Sequence, residues 1–180
     1  PKLKIMGVEA VKSSTPEVCR GKIKEAIRTI MNKSEEDLIK FVKDFKEVFV
    51  NLSPEEVAFP RSCNNLNKYS DSSNIYKKGT PIHVKGGLIY NHYIHRNKLE
   101  RKYPLIKDGD KIKFLMLKQP NTVKDTVISF ATKIPEEFNL HKYVDYDTQF
   151  EKTFTDPLRF ILDSIGWKLE REASLESFFE

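Results

Sequence analysis

Apolar residues recur at helical spacing in the first part of the chain. Thr15, Pro16 and Glu17 form a helix-start signal, because a threonine oxygen can accept an unpaired amide and proline is tolerated in the first turn. The apolar positions that follow are Ile23, Ile27, Ile30 and Met31. Their spacing predicts a helix that begins at Thr15–Pro16 and ends near Asn32.

A second helical pattern follows at once. Ser34 and Asp37 stand three residues apart, which predicts a capping box with aspartate in place of the usual glutamate or glutamine. One apolar stripe continues from them through Leu38, Phe41, Val42, Phe45, Val48 and Phe49. We therefore expect two helices that pack as an antiparallel hairpin, with the stripe in the core.

The pattern breaks up between residues 51 and 81. Pro54, Pro60, Gly79 and Pro81 interrupt a stretch rich in Asn, Ser and Lys, which predicts a mostly irregular segment. Long loops in compact domains often carry function, so this one is a candidate binding loop. The segment IHVKGGLIYNHYIHRNK that follows fits a strand in its first residues and a helix later, and the pattern leaves both open.

Two strands and further helices complete the pattern. Residues 111–118 alternate as a strand after the turn at 108–110, and residues 126–132 are the expected partner, joined by a hairpin-like turn. Helical spacing returns after Pro135, with apolar residues from Phe150 to Ile165 and a stop signal at Gly166. Pro157 should break or kink this helix after about Phe154, giving two shorter helices.

Length and composition describe an ordinary folding unit. The 180 residues can bury a core without staples, and no apolar run approaches the roughly 20 residues that cross a bilayer. We therefore expect no membrane association. The two cysteines, Cys19 and Cys63, lack the spacing of a metal site or a disulfide framework, so we expect both to be reduced.

The charge is unevenly distributed along the chain. Residues 61–118 carry 13 basic and 4 acidic side chains, residues 1–60 carry 11 and 10, and residues 119–180 carry 7 and 12. A basic middle third between a neutral start and an acidic end indicates a surface that faces phosphate, although a merely solvated face has the same composition.

No catalytic constellation stands out. His92 and His95 could share a helix face, but no nearby carboxylate or cysteine completes a metal site, and Asp71 stands in a polar loop without a second aspartate. Gly86 and Gly87 are too few for a phosphate-binding loop. The middle segment instead interleaves phosphate donors with flat side chains: Asn64, Asn65, Lys68, Tyr69, Tyr76, Lys77, Lys78, His83 and Lys85.

The last residues, ASLESFFE, form a separate signal. Leu175, Phe178 and Phe179 put three large apolar groups on one side of a single helical turn. The tail could fold back on its own domain. A short anchor peptide that inserts into a partner's apolar pocket explains the pattern better.

Several stretches together resemble family B DNA polymerases, and most closely the replicative polymerases of T-even-like bacteriophages. KLKIMGVEAVKSSTP is similar to the junction between the palm and the thumb of that family. NNLNKY with GTPIHVKG, then GDKIKF, then VDYDTQFEKTFTDPLRFIL follow in the order of the thumb. The SSTP junction and GTPIHVKG are the more specific motifs, and the similarity spans essentially the whole chain.

The resemblance implies an α+β fold, a mainly helical thumb domain with a small irregular or β tip. It implies that residues 1–13 are the end of the palm and the palm–thumb junction, 14–170 the thumb, and 171–180 a clamp-binding peptide. It also implies a helix over residues 83–97, where the pattern left strand and helix open. In the family, the thumb wraps the minor-groove side of the primer–template duplex behind the active site.

The resemblance further assigns residues to partners. Lys4 and Lys12 lie in the junction, and Lys12 matches a lysine that reaches the minor groove near the primer end, where acceptor atoms are common to every correct base pair. The residues expected to hold the duplex backbone are Asn64, Asn65, Lys68, Tyr69, Lys78, His83 and Lys85. Leu175, Phe178 and Phe179 match the anchors of sliding-clamp peptides, although Glu172 stands where such peptides usually begin with glutamine.

The catalytic aspartates of the family have no counterparts here, so the resemblance predicts no cofactor in this segment, Mg²⁺ in the catalytic part, and no polymerisation by this chain on its own. The expected partners are primer–template DNA, a sliding clamp and the catalytic remainder of the polymerase, in the same or a separate chain. The setting implied is the cytoplasm of a phage-infected bacterium. Alternatives are a free-standing DNA-binding and clamp-binding adaptor, and a small metal-dependent nuclease built on Asp71 and the histidines.

Overall fold

The computed structural model describes residues 13–169. Within them the chain forms two compact units, one of residues 13–51 together with 150–169 and one spanning Leu52–Gln149. The α+β fold class is confirmed: helices dominate and the strands form small antiparallel sheets. Five predicted contact residues lie outside the described residues, namely Lys4, Lys12, Leu175, Phe178 and Phe179.

Short helices and strands alternate along the described chain. In chain order they are α1 Glu17–Asn32, α2 Glu35–Phe49, α3 Pro54–Val57, β1 Phe59–Cys63, α4 Leu66–Tyr69, β2 Ser70–Asp71, β3 Ile75–Tyr76, α5 Ile82–Arg96, β4 Asp110–Met116, β5 Val127–Phe130, two 3₁₀ turns at Glu136–Phe138 and His141–Tyr143, α6 Tyr146–Phe150, a π-helical stretch Glu151–Thr155 and α7 Asp156–Asp163. None of the helices within residues 13–169 combines the length and apolar character needed to cross a membrane.

The first unit confirms the two predicted helices and one of their caps. Ser34 Oγ accepts the Asp37 amide at 3.2 Å, and the Asp37 carboxylate accepts the Ser34 amide, so the capping box is present. The predicted cap at Thr15 is wrong. Pro16 itself stands at the N-cap, in extended backbone, and its carbonyl accepts the amides of Cys19 and Arg20.

An aromatic cluster holds the first unit together. Phe45 and Phe49 of α2 meet Phe150 and Phe154 with ring centroids between 4.8 and 5.6 Å apart. Such pairs add about 0.5–1.5 kcal/mol each to the free energy gained by burial. The stripe expected to be buried is only partly so: Val48 is 55% exposed, because it falls one position off the row that faces the core.

Pro157 does interrupt the last helical region, as predicted, but through an unexpected geometry. The chain passes from α6 into the π-helical stretch, where the Asp156 amide bonds to the Glu151 carbonyl, five residues back. α7 then begins with Pro157 in its first turn, where the missing amide costs no intrahelical bond. Gly166 has φ +75° and comes after the end of α7, which confirms the stop signal.

The second unit is built on a three-stranded antiparallel sheet in the order β1–β4–β5. Phe59 pairs with Phe114 and Cys63 with Asp110, while Lys113 pairs with Phe130 and Met116 with Val127. The strands predicted at 111–118 and 126–132 are confirmed in β4 and β5. The partner on the other side of β4 is β1, which the pattern did not predict.

The expectation of a mostly irregular segment at 51–81 is therefore wrong. The segment contains α3, β1, α4 and a two-stranded ribbon in which Ser70 pairs with Tyr76 and Asp71 with Ile75. Each element is five residues or shorter, too short to show a period of its own. β1 exists because it pairs with β4, about 50 residues further on, rather than because of local propensity.

Helix α5 covers this sheet and packs chiefly on β5. The helix that the resemblance implied at 83–97 is thus confirmed, at Ile82–Arg96. Gly86 faces β5 so closely that a Cβ on it would lie 2.8 Å from the backbone nitrogen of Ser129. Ser129 Oγ also donates a hydrogen bond of 2.8 Å to the His83 carbonyl. The glycine pair therefore serves helix–sheet contact.

A buried glutamine links strand β4 to helix α3 within the second unit. Gln149 is fully buried, its Oε1 accepts the Met116 amide at 3.1 Å, and its Nε2 donates to the Val57 carbonyl at 2.7 Å. Both of its polar ends are thereby satisfied, as a buried amide requires.

The close approach at Gly86 gives a first testable outcome. We expect Gly86→Ala to lower the free energy of unfolding by about 1–3 kcal/mol, because the new methyl group overlaps backbone that cannot rotate away. Gly21→Ala is the matched control: Gly21 also lies inside a helix, and a Cβ there meets nothing within 4 Å. That variant should gain roughly 0.5–1 kcal/mol. Urea denaturation followed by circular dichroism measures both, and equal stabilities would contradict the close contact.

Candidate nucleic-acid interface

The basic middle third of the sequence lies entirely within the second unit. Many of its cations are exposed, among them Lys68, Lys77, Lys78, Lys107 and Lys111. Several acidic side chains of the second unit, in contrast, are occupied by bonds within the chain. With 13 basic and 4 acidic side chains, residues 61–118 have a positive excess.

Asn64 and Asn65 are exposed at the turn between β1 and α4. Asn65 has φ +67°, a left-handed conformation that asparagine tolerates better than most residues. The Asp108 carboxylate fixes this turn by accepting the Leu66 amide at 2.8 Å and the Asn65 amide at 3.3 Å. The two asparagine side chains are thus exposed to solvent on a turn that Asp108 fixes.

Lys68 and Tyr69 end helix α4. The Lys68 side chain is exposed, with its Nζ 5.2 Å from the centroid of the Tyr69 ring. The Tyr69 carbonyl accepts the Lys77 amide at 2.8 Å, which ties the end of α4 to the far side of the β2–β3 ribbon. This bond brings Lys68 and Tyr69 near Lys77 and Lys78.

His83 lies in the first turn of α5 and faces β1 and β4. Its ring centroid is 6.3 Å from that of Phe114, and the Arg61 guanidinium lies 5.8 Å from the same ring. Burial lowers the pKa of His83, and the Arg61 charge lowers it further, while a hydrogen bond with the Ser62 backbone acts in the opposite direction. His83 is therefore neutral at pH 7, and can donate or accept a hydrogen bond but brings no charge.

Lys85 is placed differently from the other predicted lysines. Its Nζ is 3.2 Å from Asp125 Oδ1 and 4.7 Å from the centroid of the Tyr76 ring, and its side chain is 25% exposed. Burial lowers the pKa of Lys85, but hydrogen bonds with Asp125 and Tyr76 outweigh it, so the pKa is raised. The ammonium is charged and already has a carboxylate partner.

The residues considered for metal binding are not brought together. Asp71 Oδ1 accepts the Ser73 amide at 2.9 Å and so shapes the ribbon turn, while His95 Nδ1 lies 3.3 Å from Glu100 Oε1. Across residues 13–169 there is no group of three or more His, Cys, Asp or Glu side chains that could hold a metal ion.

Sequence reasoning missed three residues that shape this surface. Arg61 adds to the effect of burial in lowering the pKa of His83, Asp108 holds the asparagine turn, and Asp125 pairs with Lys85. Arg61 could have been suspected as a cation in the basic segment. The two aspartates act across about 40 residues of sequence, and no local pattern marks such a contact.

The environment of His83 predicts its titration. By NMR we expect the ring to titrate below the ordinary value of about 6.5, and Arg61→Gln to raise the midpoint without fully restoring it, since burial remains. Unfolded His83 binds its proton at a higher pH than the folded ring. The contribution of His83 to the stability of the chain should therefore fall as the pH drops from about 6.5 to the folded pKa and level off below it. A midpoint that Arg61→Gln leaves unchanged would contradict the role of Arg61.

No protein-family model matches this chain. Its sequence is 31% identical over 183 residues to the DNA-directed DNA polymerase of Enterobacteria phage T4, a match that takes in 99% of this chain. It is 34% identical over 185 residues to the DNA-directed DNA polymerase of Escherichia phage RB69, covering 100% of this chain. The chain spans about 20% of the length of each of these relatives. The resemblance that the sequence motifs indicated is thus confirmed: over its whole length, the chain resembles one part of phage DNA-directed DNA polymerases.

Proposed function

We propose that this chain is the thumb part of a family B replicative DNA polymerase, which grips primer–template duplex DNA while the chemistry takes place on the remainder of the enzyme. The observation that carries the proposal is the full-length match to two phage polymerases, of which the chain spans one fifth. The basic second unit supports it from an independent direction, because its excess charge suits a phosphate backbone.

The exposed side chains suit a grip that ignores base sequence. Lys68, Lys77 and Lys78 are point charges on flexible stems, which contact phosphate oxygens without the planar fork that reads guanine. Asn64 and Asn65 offer amide donors to phosphate and sugar oxygens. His83, neutral at pH 7, adds a hydrogen bond without charge, and Tyr69 adds a flat ring beside Lys68.

Two parts of the proposal concern residues outside the described range. Lys4 and Lys12 would approach the minor groove near the primer end, and Leu175, Phe178 and Phe179 would anchor the enzyme to a sliding clamp. A tether of this kind raises the local concentration of enzyme on DNA, and hence processivity, even when the peptide itself binds weakly.

Catalysis is assigned to the rest of the polymerase, working in the cytoplasm of the infected bacterium. Two-metal phosphoryl transfer requires carboxylates that converge on ions about 4 Å apart. Mg²⁺ and its ligands would therefore belong to the catalytic remainder, in the same or a separate chain.

DNA binding by the 180-residue chain tests the grip. We expect affinity for duplex DNA that is independent of base sequence, with log K falling linearly against log salt concentration. Replacing Lys68 and Lys78 together by glutamine should weaken binding equally for all sequences and flatten that slope by roughly 0.9 per lost phosphate contact. Fluorescence anisotropy over a salt series measures both quantities.

The matched control replaces Lys24 and Lys43 by glutamine, since both are exposed lysines on helices of the first unit. This double variant carries the same change in net charge, and its salt slope should stay close to that of the unchanged chain. Binding that is insensitive to salt, or equal losses in both double variants, would argue against a grip by the second unit.

Truncation after Glu170 tests the tether. The shortened chain should keep its DNA affinity, because the basic surface is intact, and should lose binding to the phage sliding clamp in a pull-down. A triple change of Leu175, Phe178 and Phe179 to alanine should reproduce this loss. Clamp binding that survives both changes would refute the tether, and loss of DNA binding on truncation would refute the separation of the two roles.

A further inference from the structure

We propose that Asp125, Lys85 and Tyr76 form an anchor that positions the β2–β3 ribbon, residues 70–76, so that the exposed lysines directly after it meet the DNA backbone. In this assignment Lys85 is a positioning residue and not a phosphate contact. The inference rests on the proposed function for its consequence on DNA, but the anchor itself is a property of the folded chain.

Asp125 has both carboxylate oxygens engaged within the chain. Oδ2 accepts a hydrogen bond from the Tyr76 hydroxyl, while Oδ1 lies 3.2 Å from Lys85 Nζ and accepts the Thr126 amide at 2.7 Å. The Asp125 side chain is only 13% exposed. The carboxylate thus joins the ribbon, through Tyr76, to helix α5, through Lys85, and it balances the charge of that lysine.

Lys85 contributes to the same junction in a second way. Its Nζ lies 4.7 Å from the centroid of the Tyr76 ring, so the cation and the ring attract each other while both hold the same carboxylate. The Lys85 side chain is only 25% exposed and its ammonium already pairs with the Asp125 carboxylate, so a phosphate would have to compete with Asp125 for it. The charge that Lys85 offers to DNA is therefore small.

The ribbon cannot hold its own geometry. Each strand is two residues long, and its pairing consists of Ser70 with Tyr76 and Asp71 with Ile75. Two-stranded hairpins are marginal in water even when they are longer. Ile75 also has φ +70°, which is unfavourable for a β-branched side chain and persists only where the surroundings impose it. The anchor grips Tyr76, the very next residue.

The position of the ribbon matters because it leads directly into two exposed lysines, Lys77 and Lys78. The Lys77 amide reaches the Tyr69 carbonyl at 2.8 Å, which links the ribbon to the end of α4, beside Lys68. By holding Tyr76, the anchor therefore fixes the positions of Lys68, Lys77 and Lys78, three lysines of the proposed grip.

The variant Asp125→Asn distinguishes a positioning role of Lys85 from a phosphate contact, because the two predict opposite changes in DNA affinity. Removing a negative charge beside a DNA-binding surface should tighten binding if Lys85 were a phosphate contact restrained by Asp125. If Asp125 positions the ribbon, binding weakens instead, and we expect a loss of at least about threefold at moderate salt, roughly half a decade in the dissociation constant. Tyr76→Phe removes one hydroxyl without any change of charge and should weaken binding in the same direction.

Glu136→Gln serves as the charge control, because it too removes one carboxylate from the second unit, at an exposed position in the 3₁₀ turn Glu136–Phe138, which is not part of the ribbon. It should leave binding unchanged or slightly tighter. Lys78→Gln serves as the contact control and should flatten the salt slope by roughly 0.9 without loosening the ribbon. Circular dichroism and thermal unfolding verify that each variant is folded. If Asp125→Asn does not fold, Tyr76→Phe, the smallest change, tests the positioning role in its place.

Hydrogen exchange of residues 70–77 provides a readout without DNA. The Lys77 amide should exchange faster in Asp125→Asn and Tyr76→Phe than in the unchanged chain, while Lys78→Gln leaves it as it is. Unchanged exchange in both anchor variants would overturn the anchor. Faster exchange with equal or tighter DNA binding would overturn the positioning role. If the unchanged chain fails to bind DNA, the proposed function falls, and the exchange result still decides the anchor.

Discussion

The second unit depends on how closely helix α5 approaches strand β5. Gly86 leaves no room for a side chain at that contact, and Ser129 reaches across it to the His83 carbonyl at 2.8 Å. Glycine inside a helix costs about 0.5–1 kcal/mol relative to alanine, and close packing against a fully buried strand offsets that cost. Because α5 is held in this way, His83 faces β1 and β4 and Lys85 faces the ribbon and Asp125. The placement of His83 and Lys85 in the candidate interface follows from this one contact.

Acidic residues within the basic segment 61–118 and just after it lower the net charge of this region, but here they also build the surface. Asp108 holds the turn at Asn64 and Asn65, Asp71 shapes the ribbon turn, and Asp125 holds Tyr76 and Lys85. Each carboxylate accepts hydrogen bonds from its own chain, while several lysines remain exposed. Exposed charges act within a screening length of about 10 Å at 0.1 M salt, so the local arrangement decides what a phosphate meets.

The sequence anticipated the elements whose signals are local. The capping box of Ser34 and Asp37, the amphipathic face of α2, the strands β4 and β5 and the interruption at Pro157 all depend on residues close together in the chain. β1, α4 and the ribbon were not predicted, because each is too short to show a period and is stabilised by residues distant in the sequence. Within the candidate interface, residue types pointed to the basic segment, but the pairing of Lys85 with Asp125, 40 positions away, required the fold.

A grip on phosphates places two different demands on its residues. The groups that touch DNA need an exposed donor whose charge is not already balanced, which Lys68, Lys77 and Lys78 satisfy. The groups that aim them need the opposite, an internal partner and little exposure, which Asp125 and Lys85 satisfy. Composition cannot separate the two, since lysine serves in both roles. Partner and burial do separate them: in the proposed grip Lys85 belongs with the residues that position the surface, although the resemblance assigned it to the contacts.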